Sequence, residues 1–340
     1  MKALVYVGHN KVEYKDVSDP IALPGYAKVR IKYCGICGGD KAIVAGTHPR
    51  AKAPLIVGHE FIGVIEKISE NNRNLKVGDR VVAYPLISCS NCLPCRTGNP
   101  HVCQNLKLLG IDVDGAMAEY AYVDENVIFK VDNKVSDEVA ALIEPLAVIV
   151  RAMHQSGFKY LDSAVVMGAG PIGIISAIAL KHAGASKIVV SDLDQFRLDL
   201  CKNLGFNTVN VKEESLKETI SKITNGEGVD IVFEASGTES ATFESTELAK
   251  VGGTICMTGL HKAPHVLNLP QFSFKEQNMV ATRVYTKHEF YQAVDIVKEL
   301  QEGLACLVSH IIPLSQGQMA FDYINDPNMN TIKVLLNCEK

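Results

Sequence analysis

Four cysteines lie at Cys89-x2-Cys92-x2-Cys95-x7-Cys103, a spacing that brings four thiols into one short stretch. Four thiolates so placed close a tetrahedral zinc shell with no open position, which makes a structural rather than a catalytic site. Pro94, Gly98 and Pro100 mark the stretch as a loop. Such a loop has little apolar surface of its own, so the metal must supply most of its order. The chain has 10 cysteines. In a cytosolic protein that number argues for metal binding or simple burial before disulfides. Cys34, Cys201, Cys256, Cys306 and Cys338 fall in apolar patterns and read as packing residues.

A second stretch could bind a dinucleotide. Ala164-Val165-Val166-Met167 is an apolar run of the kind buried in a parallel sheet, and it breaks into Gly168-Ala169-Gly170-Pro171-Ile172-Gly173. In this G-x-G-x-x-G pattern Gly168 permits the tight turn and Gly170 lets the backbone approach a pyrophosphate. Gly173 allows the next helix to pack closely on the strand. That helix runs from about Pro171 to Gly184, and its first amides face the diphosphate. The following strand, from Lys187, ends at Asp192, 19 positions beyond Gly173. A carboxylate there binds the adenosine ribose hydroxyls and repels a 2′-phosphate, so NAD is favoured over NADP. Arg197 reads either as an adenine-stacking residue or as a surface cation.

The elements around these stretches divide the chain. Before the glycine turn, short apolar runs alternate with turn residues: Ala3 to Val7, Ala27 to Tyr33, Phe61 to Ile68 and Arg80 to Tyr84. This is β-rich, with little helical periodicity. After Asp192 a βαβ rhythm continues, with helices over 197–204 and 238–250 and strands ending in Ser236-Gly237 and Thr258-Gly259. Ser236 and Gly259 are small residues where a cofactor would lie. A helix from His288 stops at Gly303, and Thr331 to Asn337 is again strand-like. Cys37, His59, Glu60 and Glu144 are scattered candidate ligands. Singly, they read as a buried thiol, a core histidine and two surface acids.

Together with the glycine turn and the four-cysteine loop, three further stretches resemble the zinc-dependent medium-chain dehydrogenases, within them the sorbitol dehydrogenase-like polyol branch. These are Gly35-Ile36-Cys37-Gly38-Gly39-Asp40, Gly58-His59-Glu60 and Ile143-Glu144-Pro145-Leu146. The resemblance covers essentially the whole chain. It implies an α/β fold: a β-rich GroES-like catalytic domain at 1–145 and 286–340, and an inserted doubly wound Rossmann domain at 146–285. It implies two zinc ions per chain. Cys89, Cys92, Cys95 and Cys103 bind one; Cys37 and His59 with Glu60 or Glu144 bind the catalytic one, and Asp40 orients His59. Family members carry a hydroxyl residue and a histidine where this chain has Gly39 and Ala42. Neither of these can carry the alcohol proton, so Glu60, Glu144, Lys41 or His48 must take that role.

The activity so implied is hydride transfer from a secondary hydroxyl of a polyol to NAD, beside a zinc ion that lowers the hydroxyl pKa. Arg283, placed by the resemblance near the nicotinamide, suits a sugar-acid carboxylate or a cofactor contact. Lys41, Arg50 and Lys52 would suit a polyol phosphate. A third reading, of another class, is an NAD-binding sensor without turnover. The chain has 340 residues and a net charge of -4. Its length suits two domains, and its charge gives no electrostatic footprint for nucleic acid or an anionic membrane. No signal-like segment or membrane span is legible, so a cytoplasmic location is expected. The resemblance adds a homodimer or homotetramer joined through the nucleotide domains.

Overall fold

Strand Tyr26–Gly35 buries Ala27, Val29 and Ile31 and leaves the residues between them more exposed, the period-two pattern of a half-buried strand. Its pairing with strand Glu60–Lys67 shifts register between Ile31 and Tyr33, so that the consecutive residues Cys34 and Gly35 are both buried. Gly35 then stands opposite Glu60 on one side and Leu335 of strand Lys333–Asn337 on the other. The computed structural model describes residues 1–20, 23–69, 72 and 74–340. They divide into two units, Met1–Glu144 with Thr286–Lys340, and Pro145–Tyr285.

The first unit is β-rich. A seven-stranded sheet is built around Tyr26–Gly35, whose early half pairs with Tyr120–Asp124. A three-stranded sheet carries Lys2–Gly8 at its centre. Helix Lys287–Ala305 begins at a capping box in which Thr286 and Glu289 satisfy each other's backbone donors. It runs past Gly303, which the sequence reading takes as its end. Phe290, Val297, Leu300 and Leu304 on its buried face carry the helix through the glycine.

The second unit is a six-stranded sheet in which every pairing is parallel. Strand Ser163–Met167 is central and buried throughout. Lys187–Asp192 and Asn207–Asn210 lie on one side of it, and Val229–Glu234, Ala249–Met257 and Asn278–Ala281 on the other. This is the doubly wound order, and its direction reverses between the strands ending at Met167 and Glu234, where such sheets bind ligands. Helices Pro171–His182, Gln195–Asn203 and Glu239–Leu248 come close to those expected from the βαβ rhythm, and Leu216–Ile223 and Leu269–Phe274 are further ones that the sequence reading does not name. The α/β class, β-rich unit plus doubly wound sheet, is as the sequence implies.

Two further differences stand out. Residues Ile143–Ser156 form a helix of 14 residues directly before the first parallel strand. The sequence reading sees little helix there because Val139 to Val150 is apolar almost without interruption, and an uninterrupted run carries no clear period. Cys306, read as a packing residue, is exposed, whereas Cys34, Cys201, Cys256 and Cys338 are buried as expected. No helix among the described residues is long and apolar enough to cross a membrane.

Candidate metal centres and nucleotide site

Cys37 caps the short helix Gly38–Val44. Its Sγ accepts from the Gly39 N–H at 3.3 Å, and its own N–H donates to Asp40 Oδ2 at 2.9 Å. His59 and Glu60 lie where the chain enters strand Glu60–Lys67. One donor atom from each of Cys37, His59 and Glu60 falls within 4.8 Å of the others, although 22 positions separate the first two in sequence. His59 turns its Nδ1 toward Asp40 Oδ1 at 3.9 Å, and a ring nitrogen lies within 4.8 Å of the Cys37 thiol. Asp40, His59 and Glu60 are all buried, and Asp40 Oδ1 and His59 Nδ1 lack a well-formed hydrogen bond. Buried polar atoms of this kind are rare, and they mark a place where a cation completes the set. Thiolate, imidazole and carboxylate together suit zinc.

The charges agree with that fit. Burial works against a charged His59, but Asp40, Cys37 and Glu144 outweigh it and hold the ring well above the ordinary histidine range. A cation in the cluster would reverse this preference, because it takes the neutral imidazole. Burial also pushes Asp40 up. Glu144 is buried in the first turn of helix Ile143–Ser156, close enough to act on His59 electrostatically, but outside the 4.8 Å cluster.

The sequence reading misses Lys333. Its Nζ pairs with Glu60 Oε2 and donates to the Ile36 carbonyl at 3.1 Å, with 2% of the side chain exposed. Burial disfavours its charge, but Glu60 first, then Cys37 and Glu144, hold its pKa above the ordinary lysine value. The only available signal was a lysine heading an apolar strand, and this one lies 273 positions from its partner. Of the residues named for the missing proton relay, His48 accepts two backbone N–H groups at Nδ1, from Arg50 and Ala51. Burial, then Arg50, hold its pKa below the ordinary value. A neutral ring so bonded keeps its proton on Nε2 and presents no basic nitrogen there. Lys41 donates to the Ile324 carbonyl at 3.4 Å.

Cys89, Cys92, Cys95 and Cys103 come together as a second donor group within the same 4.8 Å span. The Cys92 and Cys95 sulfurs are 3.4 Å apart, and those of Cys92 and Cys103 are 3.7 Å apart. Thiolates bound to one tetrahedral zinc stand about 3.8 Å apart, so little movement is needed to hold an ion. The Cys89 and Asn105 N–H groups each donate to Cys103 Sγ at 3.3 Å. Backbone N–H groups of Asn91 and Cys92 bring the Cys89 thiol down to about 6, whereas burial pushes Cys95 up to about 12.

In the parallel unit, Gly168 has φ +108, and a Cβ on Gly173 would lie 1.8 Å from the Gly168 carbonyl oxygen. Nothing lies within 4 Å of a Cβ built on Gly170, so the backbone is open to a ligand there. Pro171 and Ile172 begin the helix, and Gly170 gives it no side-chain cap. Its first amides are therefore left for an anion, unlike those of the helices capped by Asp194, Ser215 and Thr238. Asp192 ends its strand, accepting from the Ala169 N–H at 2.6 Å. A cavity of about 150 Å³ is lined by Gly168, Asp192, Leu193, Val211, Ser236 and Thr238, among others. Gly259 packs against Gly237, where a Cβ would stand 2.5 Å from the Gly237 nitrogen. A larger groove of about 620 Å³ lies by Gly228 and Lys250, at the opposite ends of the strands, away from the edge that binds ligands in such sheets.

Two candidates stand apart from that cavity. Arg197 pairs with Asp194 at 3.5 Å, and Arg283 is exposed just beyond strand Asn278–Ala281. The sequence reading also misses Glu234, fully buried, whose Oε1 accepts from the Ser236 and Gly237 N–H groups and so holds the turn beside Gly168. Its other oxygen lies 3.1 Å from His261 Nε2.

Residues 23–133 match the alcohol dehydrogenase GroES-like domain, and residues 171–299 match the zinc-binding dehydrogenase domain. The chain is 32% identical to the 2-dehydro-3-deoxy-L-galactonate 5-dehydrogenase of Pseudoalteromonas atlantica, over 99% of each chain. It is 32% identical to the sorbitol dehydrogenase of Halalkalibacterium halodurans, again over 99% of each. The structure of 2R,3R-butanediol dehydrogenase from Bacillus subtilis superimposes with a TM-score of 0.91, at 28% identity and 99% coverage of both chains. With the donor clusters and the doubly wound sheet, these likenesses show that the chain belongs to the zinc-dependent medium-chain alcohol dehydrogenase family.

Proposed function

We propose that the chain is an NAD-dependent dehydrogenase that oxidises a secondary hydroxyl of a polyol or diol to a ketone. The buried Cys37–His59–Glu60 cluster carries this reading, because structural packing alone gives no reason to gather a thiol, an imidazole and a carboxylate around orphaned polar atoms. Cys37, His59 and Glu60 would hold the catalytic zinc, with Glu144 as the alternative carboxylate and Asp40 orienting the His59 ring. Cys89, Cys92, Cys95 and Cys103 would hold a structural one. Bound, zinc supplies a Lewis acid that makes a hydroxyl acidic near neutral pH, and the nicotinamide supplies the hydride acceptor. The chain's part is to fix their geometry and exclude water. Asp192 would bind the adenosine ribose, the open amides of helix Pro171–His182 the diphosphate, and Ser236 and Gly259 would border the rest. Gly39 and Ala42 have no side-chain group that can carry the alcohol proton, and the basic Nδ1 of His48 is already taken by the Arg50 and Ala51 N–H groups, so a buried carboxylate, Glu60 or Glu144, would take it.

A sugar acid is the second substrate class. Val284 has φ 45, which a β-branched residue seldom adopts, and such strain gathers at functional segments. It follows the exposed Arg283, whose guanidinium could hold a carboxylate through two hydrogen bonds. One of the relatives named above acts, by its name, on a sugar acid and another on sorbitol.

The test is zinc content and NADH formation measured together on sorbitol, xylitol, butanediol and several aldonates, before and after chelation. Turnover lost with the metal supports the reading, and the substrate profile chooses between its two forms. NAD binding with no turnover on any substrate by the zinc-loaded chain would favour the sensor and sink the proposal.

A further inference from the structure

Glu60 is the member of the metal cluster with a full charge partner inside the protein. Strand Tyr26–Gly35 lies between the strands that carry Glu60 and Lys333, and Gly35 is its residue at that level. A Cβ on Gly35 would stand 2.4 Å from Glu60 Oε2 and 3.0 Å from Lys333 Cε. The ion pair therefore crosses the sheet through the slot that this glycine leaves. The Gly35 backbone is not in the left-handed region, so space rather than conformation makes a side chain unwelcome there. Lys333 is also anchored at the Ile36 carbonyl, one residue from Cys37. It is tied to the same segment that presents the thiol.

Resting on the metal-centre reading above, we propose that Lys333 is the positioning residue of this cluster. Its ammonium, passed through the Gly35 slot, grips one oxygen of Glu60, directs the carboxylate toward Cys37 and His59, and so selects Glu60 over Glu144 as the resident carboxylate ligand. Two facts support the selection. Glu60 lies within the 4.8 Å donor span and Glu144 does not. A carboxylate held by a charged partner also loses less freedom when it takes up an ion than one that must be recruited. Lys333 balances charge as well. Beside a divalent ion, the ammonium offsets one of the negative charges that the Cys37 thiolate and the buried Glu60 and Asp40 carboxylates bring to the centre.

The full-length, zinc-loaded chain is challenged with a chelator, and zinc release is followed over time. The four-cysteine site acts as an internal control. Lys333→Met should speed release from the Cys37 centre roughly 10- to 100-fold and leave the four-cysteine phase unchanged, and Lys333→Arg should restore most of the slow release. Gly35→Ala keeps both charges but fills the slot, and should speed the same phase. Loss of Glu144 should matter more in the Lys333→Met background than in the wild type, because only there does the metal lean on it. In cobalt-substituted protein the d–d bands of the Cys37 centre alone should shift. Equal release by wild type, Lys333→Met and Gly35→Ala overturns the proposal. Acceleration of both phases together also overturns it, because that is loosening of the fold. A wild-type chain with only the four-cysteine phase would instead remove the metal-centre reading itself. If Lys333→Met does not fold, Gly35→Ala decides alone.

Discussion

Asp40 reaches His59 and the Cys37 backbone with its two oxygens: Oδ1 lies 3.9 Å from His59 Nδ1, and Oδ2 accepts from the Cys37 N–H at 2.9 Å. One buried carboxylate therefore sets the orientation of the ring and the start of the helix that carries the thiol. Asp40→Asn keeps the shape and removes the charge. It should weaken zinc at the Cys37 centre by roughly 10- to 100-fold, read by chelator competition, with the four-cysteine zinc unaffected. Equal affinity in variant and wild type would show that Asp40 only caps the helix.

Cys103 receives two backbone N–H groups and faces Cys92. Cys103→Ser should reduce bound zinc by one ion per chain and make the segment around 88–104 sensitive to protease, since the loop has no core of its own. The quantities to measure are metal content and the position of the first cut. Full zinc content with an uncut loop would count against a metal role for the four cysteines.

Gly173 cannot accept a side chain without displacing the Gly168 carbonyl. Gly173→Ala should lower stability by about 1–3 kcal/mol in chemical denaturation and weaken NAD binding in calorimetry. Asp192 tests cofactor choice separately. Asp192→Ala removes charged hydrogen bonds worth about 1.5–3 kcal/mol, so kcat/KM for NAD should fall roughly 10- to 100-fold while that for NADP holds or rises. A parallel loss on both cofactors would mean that Asp192 serves only the turn at Ala169, whose N–H it accepts.

Asp137 gives the acid limb of stability. Burial raises its pKa, but Lys32 and Arg80 outweigh burial and hold it below the ordinary carboxylate range. A group with a depressed folded pKa stabilises fully above its unfolded value, about 3.9. That stabilisation is lost as the pH falls through the folded pKa. Asp137→Asn should therefore be less stable at pH 7 and show a flatter decline of Tm below pH 4. The two curves should converge at the acid end, and parallel curves would remove Asp137 from the account.

The fold and the donor clusters were legible where chemistry fixes local spacing. Cys89 to Cys103 and Gly168 to Gly173 are short stretches whose function needs those residues at those intervals. His59 and Glu60 entered through resemblance, because a lone Gly-His-Glu has no period or spacing to give it meaning. Lys333 stayed hidden because its partner lies across a sheet, and a single buried lysine looks in sequence like a strand-end cation. Helix Ile143–Ser156 was missed for a related reason, since a segment covered on nearly every side lacks the polar face that reveals a helix. Gly303 misled because a glycine only weakens a helix, and a long buried face outweighs that loss.

The order of synthesis gives Lys333 one more consequence. Strand Tyr26–Gly35 leaves the ribosome early, but its neighbour Lys333–Asn337 emerges only after the whole parallel unit. Domains tend to fold as they appear, so part of one edge of that strand must wait, unpaired, while some three hundred residues are added. Exposed edges of this kind invite pairing with other chains. Nascent chains stalled before residue 333 should therefore be the ones that depend on chaperones, and the last strand to arrive both seals that edge and brings the ammonium that meets Glu60.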